Sequence, residues 1–390
     1  MNKVDKQGDH CMMFFPENSM WSLGILPTFG LIQFGAAEMG EIFKAGRKLL
    51  THVGDNDKWF NEWKALACEV ESLAVEEEKK KHFRTAGGAF FRAATYYYLA
   101  EVFISPEDPR KFESYRKVMN CFQRGAFYRY PGLEKVDIPY EKSSLAGYFF
   151  PGRDFTSNKR SRTMVFFDGL DNCKEIITHY ASELVARGIN CLVVDGPGQG
   201  ESLRIRKIPS RFDYEVPATC AFEYVAQRPE VDTSRIGLMA RSMGGYYAPR
   251  AVAFERRYRI CVAWGAHFDY YGVWLKRRKV MENGGTITSS PHFQLPWVMG
   301  KKSMDEAMTK LKDYTLEGIA QEIRCPLLIV HGENDIIVPV EMAHALYRAA
   351  GTNDKTLKIF TTEETGSEHC GDDNQTKTIS FIADWVSDHL

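Results

Sequence analysis

The sequence predicts an α/β fold in which a mostly parallel, doubly wound sheet follows a helical segment. From about residue 36 to residue 130, apolar residues recur three and four positions apart, which is typical of amphipathic helices. After about residue 133, short β-branched and aromatic runs alternate with helical patterns, which indicates a parallel sheet covered on both faces. Roughly sixty residues before Cys325 interrupt this alternation. A connection that long is usually functional, and we predict a lid.

The helical half contains three strongly periodic runs, GAAEMGEIFKAGRKLL, KWFNEWKALACEVESLAVEEEKKKHF and GAFFRAATYYYLAEVF. Pro106 and Pro109 end the third run, because proline cannot continue a helix. We therefore predict a helical N-terminal cap domain over 1–132. Its aromatic residues are interpreted mainly as core, with the lining of a substrate pocket as the alternative; they are Phe90, Phe91, Tyr97, Tyr98 and Phe103.

The second half supplies the sheet. Strands are predicted at LEKVDIPY, LAGYFF, RTMVFFDG, INCLVVDG, RIGLMA, RICVAWGA, CPLLIVHG and KTLKIFT. Helices are predicted at KEIITHYASELVARG, MGGYYAPRAVAFE, VEMAHALYRAAG and TISFIADWVSDHL. This pattern predicts a catalytic domain over 133–390, with the lid inserted at about 267–315.

Charge and cysteine content exclude several classes of protein. The formal net charge is −1 and no long basic block occurs, which argues against nucleic acid and anionic membrane as partners. Nine cysteines, an odd number without a C-x-x-C pair, indicate buried thiols in a reducing compartment rather than disulfides or a zinc site. We predict a cytoplasmic protein that needs no metal and no cofactor.

The longest apolar stretch, 20–37, is interrupted by Gly24, Pro27 and Gly30. These residues make it a poor membrane span and a poor signal peptide. We interpret it as a buried or interface segment. If its apolar residues are exposed, they would suit a homodimer interface.

Ser242 is the candidate nucleophile. It follows the predicted strand RIGLMA and precedes an amphipathic helix, in the pattern A-x-S-x-G. A sharp strand-to-helix turn requires small residues two positions before and after the serine, and Ala240 and Gly244 occupy them. The usual first residue of this pattern is glycine, so alanine is a departure, although a small one.

The candidate partners of the serine follow two later strands. Asp335 comes after CPLLIVHG and is the candidate acid, with Glu333 as the alternative. His369 lies in the polar loop after KTLKIFT, where a catalytic base is expected. The order Ser…Asp…His is that of the α/β-hydrolases.

An oxyanion hole should accompany this arrangement, since a tetrahedral intermediate carries negative charge on oxygen. We predict the backbone N–H of Met243 as one donor and that of Gly169 or Leu170 as the other. The glycine-rich segment 193–202 lacks both phosphate-binding patterns, and we interpret it as a tight loop.

With DGLDNCKE, DGPGQGES, ARSMGGYY, HGENDIIVP and GSEHC considered together, the chain resembles the α/β-hydrolases. More narrowly, it is similar to the group with a helical N-terminal domain that includes 2,6-dihydroxypseudooxynicotine hydrolase. That group also contains serine hydrolases of fungal polyketide clusters, of the fusarin, cytochalasan and pigment types. The resemblance implies a Ser242–Asp335–His369 triad and a cleft between the helical and catalytic domains.

The resemblance also implies hydrolysis of an ester or ketone, including carbon–carbon cleavage of a 1,3-dicarbonyl, in secondary metabolism or catabolism. We expect a bulky polyketide-like or aromatic small molecule as substrate. The expected substrate contacts are Asp171, Tyr246, His267, Asp269 and Tyr270. Two alternatives stay open: an acyltransferase or cyclase that uses the same triad, and a non-catalytic ligand-binding homologue.

Overall fold

The computed structural model describes residues 13–152, 160–283 and 291–390. Its first part is helical, and helices α1 to α5 span Ser19–Gly30, Met39–Leu49, Asn56–Lys79, Phe83–Glu101 and Pro109–Arg129. Helices α1, α2, α3 and α5 each begin at a residue whose side chain accepts from free backbone N–H groups. Asp55 accepts from the N–H groups of Asp57 and Lys58, and Asp108 accepts from that of Arg110. A division into two domains near residue 132 stays a prediction.

The apolar stretch 20–37 forms α1 and a 3₁₀ turn, Leu31–Phe34. Trp21, Ile25 and Leu31 are buried in the core of this chain. Met20, Phe29, Ile32 and Phe34 are partly buried against that core. The homodimer stays a prediction. No helix within the described ranges is long and apolar enough to cross a membrane.

The second part is built on one sheet, in which the described residues form eight strands. Strands β1 to β8 span Glu134–Tyr140, Ser143–Phe150, Ser161–Phe167, Asn190–Asp195, Val231–Arg241, Cys261–Trp264, Leu327–Gly332 and Lys355–Phe360. Their order is β1-β2-β4-β3-β5-β6-β7-β8, and β2 runs antiparallel to both of its neighbours. All other pairs are parallel. The prediction of a mostly parallel sheet is confirmed.

Helices cover both faces of this sheet. Helices α6 to α9 span Lys174–Ala186, Gly200–Arg204, Glu215–Ala226 and Gly244–Phe254, and α13 and α14 span Glu341–Ala349 and Gln375–His389. The predicted strand and helix pattern misses α8. It also treats the start of α7 as loop, although Asp195 Oδ2 accepts from the N–H of Glu201 at 2.7 Å and so holds its first turn.

The long connection between β6 and β7 is helical in its described part. It contains α10, α11 and α12, which span Tyr270–Glu282, Gln294–Val298 and Met304–Leu311. Two further short 3₁₀ turns are Ala320–Glu322 before β7 and His369–Gly371 after β8. Because the carboxyl ends of parallel strands meet at one edge, the loops after β3, β5, β7 and β8 converge there.

Candidate active site

Ser242 occupies the turn between β5 and α9. Its φ is +60°, a left-handed conformation that non-glycine residues seldom adopt. Two backbone hydrogen bonds hold this conformation. The N–H of Ser242 donates to the carbonyl of Trp264 at 2.7 Å, and the N–H of Gly245 donates to the carbonyl of Ser242 at 2.7 Å. The turn therefore presents the hydroxyl above the edge of the sheet.

Small residues flank the serine because the strand and the helix approach closely there. A Cβ atom added to Gly244 would lie 2.5 Å from the Cβ of Ala240 and 3.0 Å from the carbonyl oxygen of Asp168. A larger residue at position 244 would therefore push α9 away from β5. The methyl group of Ala240 fits as it stands, so alanine can replace the usual glycine of the A-x-S-x-G pattern.

The structure brings Ser242, His369 and Asp335 into one hydrogen-bonded chain. Ser242 Oγ lies 2.8 Å from His369 Nε2, and His369 Nδ1 lies 2.7 Å from Asp335 Oδ2. Asp335 and His369 are both buried. The alternative acid, Glu333, is exposed and instead accepts from the N–H of Thr362.

Asp335 is held in place by backbone donors. Its Oδ1 accepts from the N–H groups of Ile337 and Val338 at 2.9 and 2.7 Å, which leaves Oδ2 for the histidine. Burial opposes the carboxylate, but the charge and hydrogen bond of His369 outweigh it and lower the pKa of Asp335. The carboxylate thus stays ionised and fixes the orientation of the imidazole.

The pKa of His369 responds in the opposite direction. Burial disfavours the charged imidazole, yet the carboxylate of Asp335 outweighs this and raises the pKa of His369 well above its ordinary value. A raised pKa makes the neutral imidazole a stronger base toward the hydroxyl of Ser242.

The predicted donors of the oxyanion hole, Met243 and Leu170, line the same cavity as Ser242. The N–H of Met243 and the N–H of Leu170 have no acceptor among the described residues. The N–H of Gly169 is already used, because it donates to Asp168 Oδ1 at 2.7 Å. Of the two predicted donors after β3, Leu170 is therefore the one left available. Gly169 contributes space instead, since a Cβ there would lie 3.0 Å from Ser242 Oγ.

A cavity of about 150 Å³ opens in front of Ser242. Helices α1 and α4 close one side of it with Pro27, Tyr98 and Leu99. The connection after β6 closes another side with Tyr270 and Arg277. The site therefore lies between the helical first part of the chain and the sheet.

The aromatic run of α4 divides between core and cavity. Tyr98 lines the cavity, as the alternative interpretation of this run expected. Phe90, Phe91 and Tyr97 are buried in the core instead, which agrees with the main interpretation.

Three of the five expected substrate contacts line this cavity. They are Asp171, His267 and Tyr270. His267 Nδ1 donates to the carbonyl of Gly265 at 2.9 Å, so its other nitrogen is an acceptor. Burial, with the nearby charges of Arg277 and His369, lowers the pKa of His267 to about 3, which keeps the ring neutral.

Tyr246 and Asp269 do not line the cavity, so this part of the expectation is corrected. The hydroxyl of Tyr246 donates to the carbonyl of Phe212 at 2.9 Å, away from the serine, because the side chain points into the core under α9. Asp269 caps α10 by accepting from the N–H of Gly272 at 3.0 Å. Both side chains have structural partners.

Sequence reasoning missed Arg241, Arg277 and Gln294, which also line the cavity. Arg241 directly precedes the serine, and its Nη2 pairs with Asp372 at 2.5 Å. The side-chain amide of Gln294 donates to Asp171. A signal for Arg277 exists in the sequence, since it falls on the same helical face as the buried residues Tyr270, Val273 and Trp274.

The fold and the geometry of this site define the chain as an α/β-hydrolase, and the predicted resemblance and enzyme class are confirmed. More particularly, the chain belongs to the prolyl oligopeptidase family, whose model matches residues 179–390.

Relatives similar along most of the chain are fungal hydrolases. The chain is 28% identical over 384 residues to an alpha/beta hydrolase, gkaG, of Penicillium citrinum, covering 88% of this chain and 86% of that one. It is 24% identical over 378 residues to the 20-hydroxy-prefusarin hydrolase FUS2 of Gibberella moniliformis, covering 88% and 90%.

One solved structure shares the fold over nearly the whole chain. The 2,6-dihydroxy-pseudo-oxynicotine hydrolase superposes with a TM-score of 0.77 at 21% identity, covering 93% of this chain and 95% of that one. The similarity therefore includes the helices that precede the sheet.

Proposed function

We propose that Ser242, His369 and Asp335 are a catalytic triad that hydrolyses a polyketide-like or aromatic ester or ketone. The observation that carries this proposal is the hydrogen-bonded chain from Ser242 Oγ to His369 at 2.8 Å and from His369 to Asp335 at 2.7 Å. The fungal relatives support the substrate class, because one of them is named for its action on 20-hydroxy-prefusarin.

The chemistry follows from these groups. His369 Nε2 takes the proton of Ser242 Oγ as that oxygen attacks the substrate carbonyl. The N–H groups of Met243 and Leu170 stabilise the negative oxygen of the tetrahedral intermediate. His369 then gives its proton to the leaving group, and a water that it deprotonates releases the acid from Ser242.

A 1,3-dicarbonyl substrate fits the same steps. When its carbon–carbon bond breaks, the electron pair moves onto the second carbonyl as an enolate, and His369 protonates the carbon. The acyl group stays on Ser242 until water releases it. The net reaction converts a diketone and one water into a carboxylic acid and a ketone.

Labelling with a fluorophosphonate tests the nucleophile. We expect one adduct, on Ser242, detected by mass spectrometry of the digested protein. Ser242→Ala and His369→Ala should abolish it, whereas His344→Ala should not, because His344 is exposed on α13. A folded protein that gives no adduct on Ser242 would contradict the proposed triad and favour the ligand-binding alternative.

Product analysis in ¹⁸O-labelled water separates hydrolysis from acyl transfer. We expect one labelled oxygen in the acid released from a 4-nitrophenyl ester or from 1-phenyl-1,3-butanedione. An acyl product formed on an added alcohol, without labelled acid, would instead identify the acyltransferase alternative. Cleavage of the diketone would establish carbon–carbon hydrolysis.

A further inference from the structure

Arg277 is a charged residue in a position that an apolar residue would normally fill. It lies one turn after Trp274 on the buried face of α10, and only 3% of its surface is exposed. Its side chain lines the cavity that holds Ser242 and His369. Burial lowers the pKa of Arg277, which reflects how poorly this place solvates a positive charge.

The guanidinium of Arg277 is only partly satisfied. Its Nη2 donates to the carbonyl of Ile337 at 2.8 Å, and the side chain of Tyr270 is a second hydrogen-bond partner. Its central carbon lies 4.8 Å from the ring centre of Trp274. Its Nε is buried without any hydrogen-bond acceptor. Among the described residues it forms no ion pair, so no carboxylate in that part of the chain compensates its charge directly.

The other charges around the cavity already have partners. Arg241 pairs with Asp372 at 2.5 Å, and Asp171 pairs with Arg204 at 3.5 Å. Asp335, whose charge is near enough to act on Arg277, has both oxygens committed to backbone N–H groups and to His369. Arg277 is therefore the arginine of this lining that lacks a counter-ion within the described residues.

We propose that Arg277 binds an anionic oxygen of the substrate, which is a carboxylate or an acidic 1,3-dicarbonyl that binds as its enolate. For the enolate, charged His369 gives its proton to the central carbon, which restores the carbonyl that Ser242 attacks and leaves His369 neutral as the base. This inference rests on the proposed function and narrows its substrate class. The planar guanidinium matches both anions, since a carboxylate accepts two parallel N–H donors and an enolate oxygen accepts one charged N–H donor. Substrate binding would then supply the missing counter-ion.

Two esters of equal chain length test the carboxylate. We would compare mono-4-nitrophenyl glutarate, which carries a terminal carboxylate, with 4-nitrophenyl pentanoate, which does not. We expect kcat/KM to favour the glutarate at least about 10-fold. Arg277→Met should remove that preference, a loss of at least about 10-fold, mainly through KM, since one charged hydrogen-bonding partner is lost. Arg277→Lys should retain part of it.

Dimedone and its neutral enol methyl ether test the enolate in the same way, as inhibitors of 4-nitrophenyl pentanoate hydrolysis. Inhibition by dimedone alone, lost in Arg277→Met, would assign the enolate. The matched control is Arg278→Met, because Arg278 is half-exposed and pairs with Glu282 and Asp305 away from the cavity. This variant should leave the preference and the inhibition unchanged.

Calorimetry on Ser242→Ala separates this inference from the proposed function. Glutarate or dimedone should bind this variant, and the added Arg277→Met change should abolish binding. If fluorophosphonate does not label the unmodified protein, the hydrolase proposal fails. Anion binding that still depends on Arg277 would then uphold this inference on its own. The inference is overturned if binding of glutarate and of dimedone does not depend on Arg277. It is also overturned if Arg277→Met lowers kcat/KM for both esters equally, because the residue would then act only on the structure of the connection after β6.

Discussion

Gly169 shows how little space surrounds the serine. A Cβ atom on this residue would lie 2.7 Å from the Cβ of Ser242 and 3.1 Å from the backbone nitrogen of Met243. Both neighbours belong to a turn that two backbone hydrogen bonds fix, so neither can move without changing the hydroxyl position. The clearance at Gly169 is thus a condition for correct placement of the serine.

Gly169→Ala is expected to lower kcat/KM by at least about 100-fold, because displacements of about 1 Å at a reacting group cost this much. Thermal unfolding should show that the fold survives. Gly40→Ala is the matched control, since a Cβ there meets nothing within 4 Å. Activity of Gly169→Ala equal to that of the control would contradict the predicted geometry.

Asp335→Asn is expected to lower kcat by about 10³- to 10⁴-fold, because the imidazole loses both its orientation and the charge that stabilises its protonated form. The pH profile of kcat/KM provides the specific readout. If neutral His369 is the base, as we propose, activity should rise with pH through a raised pKa in the native protein. In the variant this limb should move to lower pH. An unmoved limb would mean that another group titrates.

The three triad candidates could be predicted from the sequence because each follows a predicted strand, and the carboxyl ends of parallel strands meet at one edge of the sheet. The sequence could not decide whether Gly169 or Leu170 has the free backbone N–H for the oxyanion hole. This choice depends on Asp168, whose side chain occupies the N–H of Gly169. Arg277 is different: four consecutive basic residues occur at 276–279, and helical periodicity from Tyr270 and Trp274 already marks Arg277 as the buried one.

At the scale of elements, a buried cluster of charges joins the helical part to the sheet. Glu101, the last residue of α4, pairs with Lys111 of α5 at 2.5 Å and with Arg204 of α7 at 2.6 Å. All three side chains are fully buried. Arg204 also donates to the carbonyl of Asp171 at 2.6 Å. The cluster therefore links α4 to the loop that carries Leu170.

Glu101→Gln is expected to destabilise the protein by about 3–5 kcal/mol, because it leaves two buried cations with one less negative charge. Urea unfolding measures this change. The matched control is Glu69→Gln, which breaks the exposed pair between Glu69 and Lys44 and should cost less than about 1 kcal/mol. Equal costs for the two variants would contradict a stabilising role of the buried cluster.

The strands and most helices were predictable because their periodicity is strong, whereas the helices of the long connection were not. Tyr270–Glu282 carries bulky aromatic and basic residues together, which obscures its buried face, and it packs against α12. Helix α8 was missed because Pro217 and Cys220 obscure its periodicity. Tertiary packing determines such segments.

At the scale of the whole molecule, buried neutral histidines make stability depend on pH. Burial, with a smaller effect of Arg129, lowers the pKa of His179 to about 3 from its ordinary 6.5. His267 behaves similarly. Between pH 6.5 and pH 3 each of these histidines is protonated in the unfolded chain but neutral in the native chain. The free energy of unfolding therefore falls as pH decreases through this range.

The expected loss from His179 is about 2 kcal/mol between pH 6.5 and pH 5, at about 1.4 kcal/mol for each pH unit. Urea unfolding at several pH values measures the slope. His179→Gln should be less stable near pH 7, because it loses the 2.8 Å hydrogen bond to Tyr130, but its slope should be smaller. An unchanged slope would show that His179 does not titrate as predicted.

The cavity in front of Ser242 is small for a bulky substrate. Its volume of about 150 Å³ is below the roughly 300–1,000 Å³ that drug-sized ligands usually occupy. Entry and departure of such a molecule therefore require α1, α4 and α10 to separate, and opening motions of this kind take microseconds to milliseconds. We expect solvent viscosity to slow turnover of large substrates and to leave small esters unaffected.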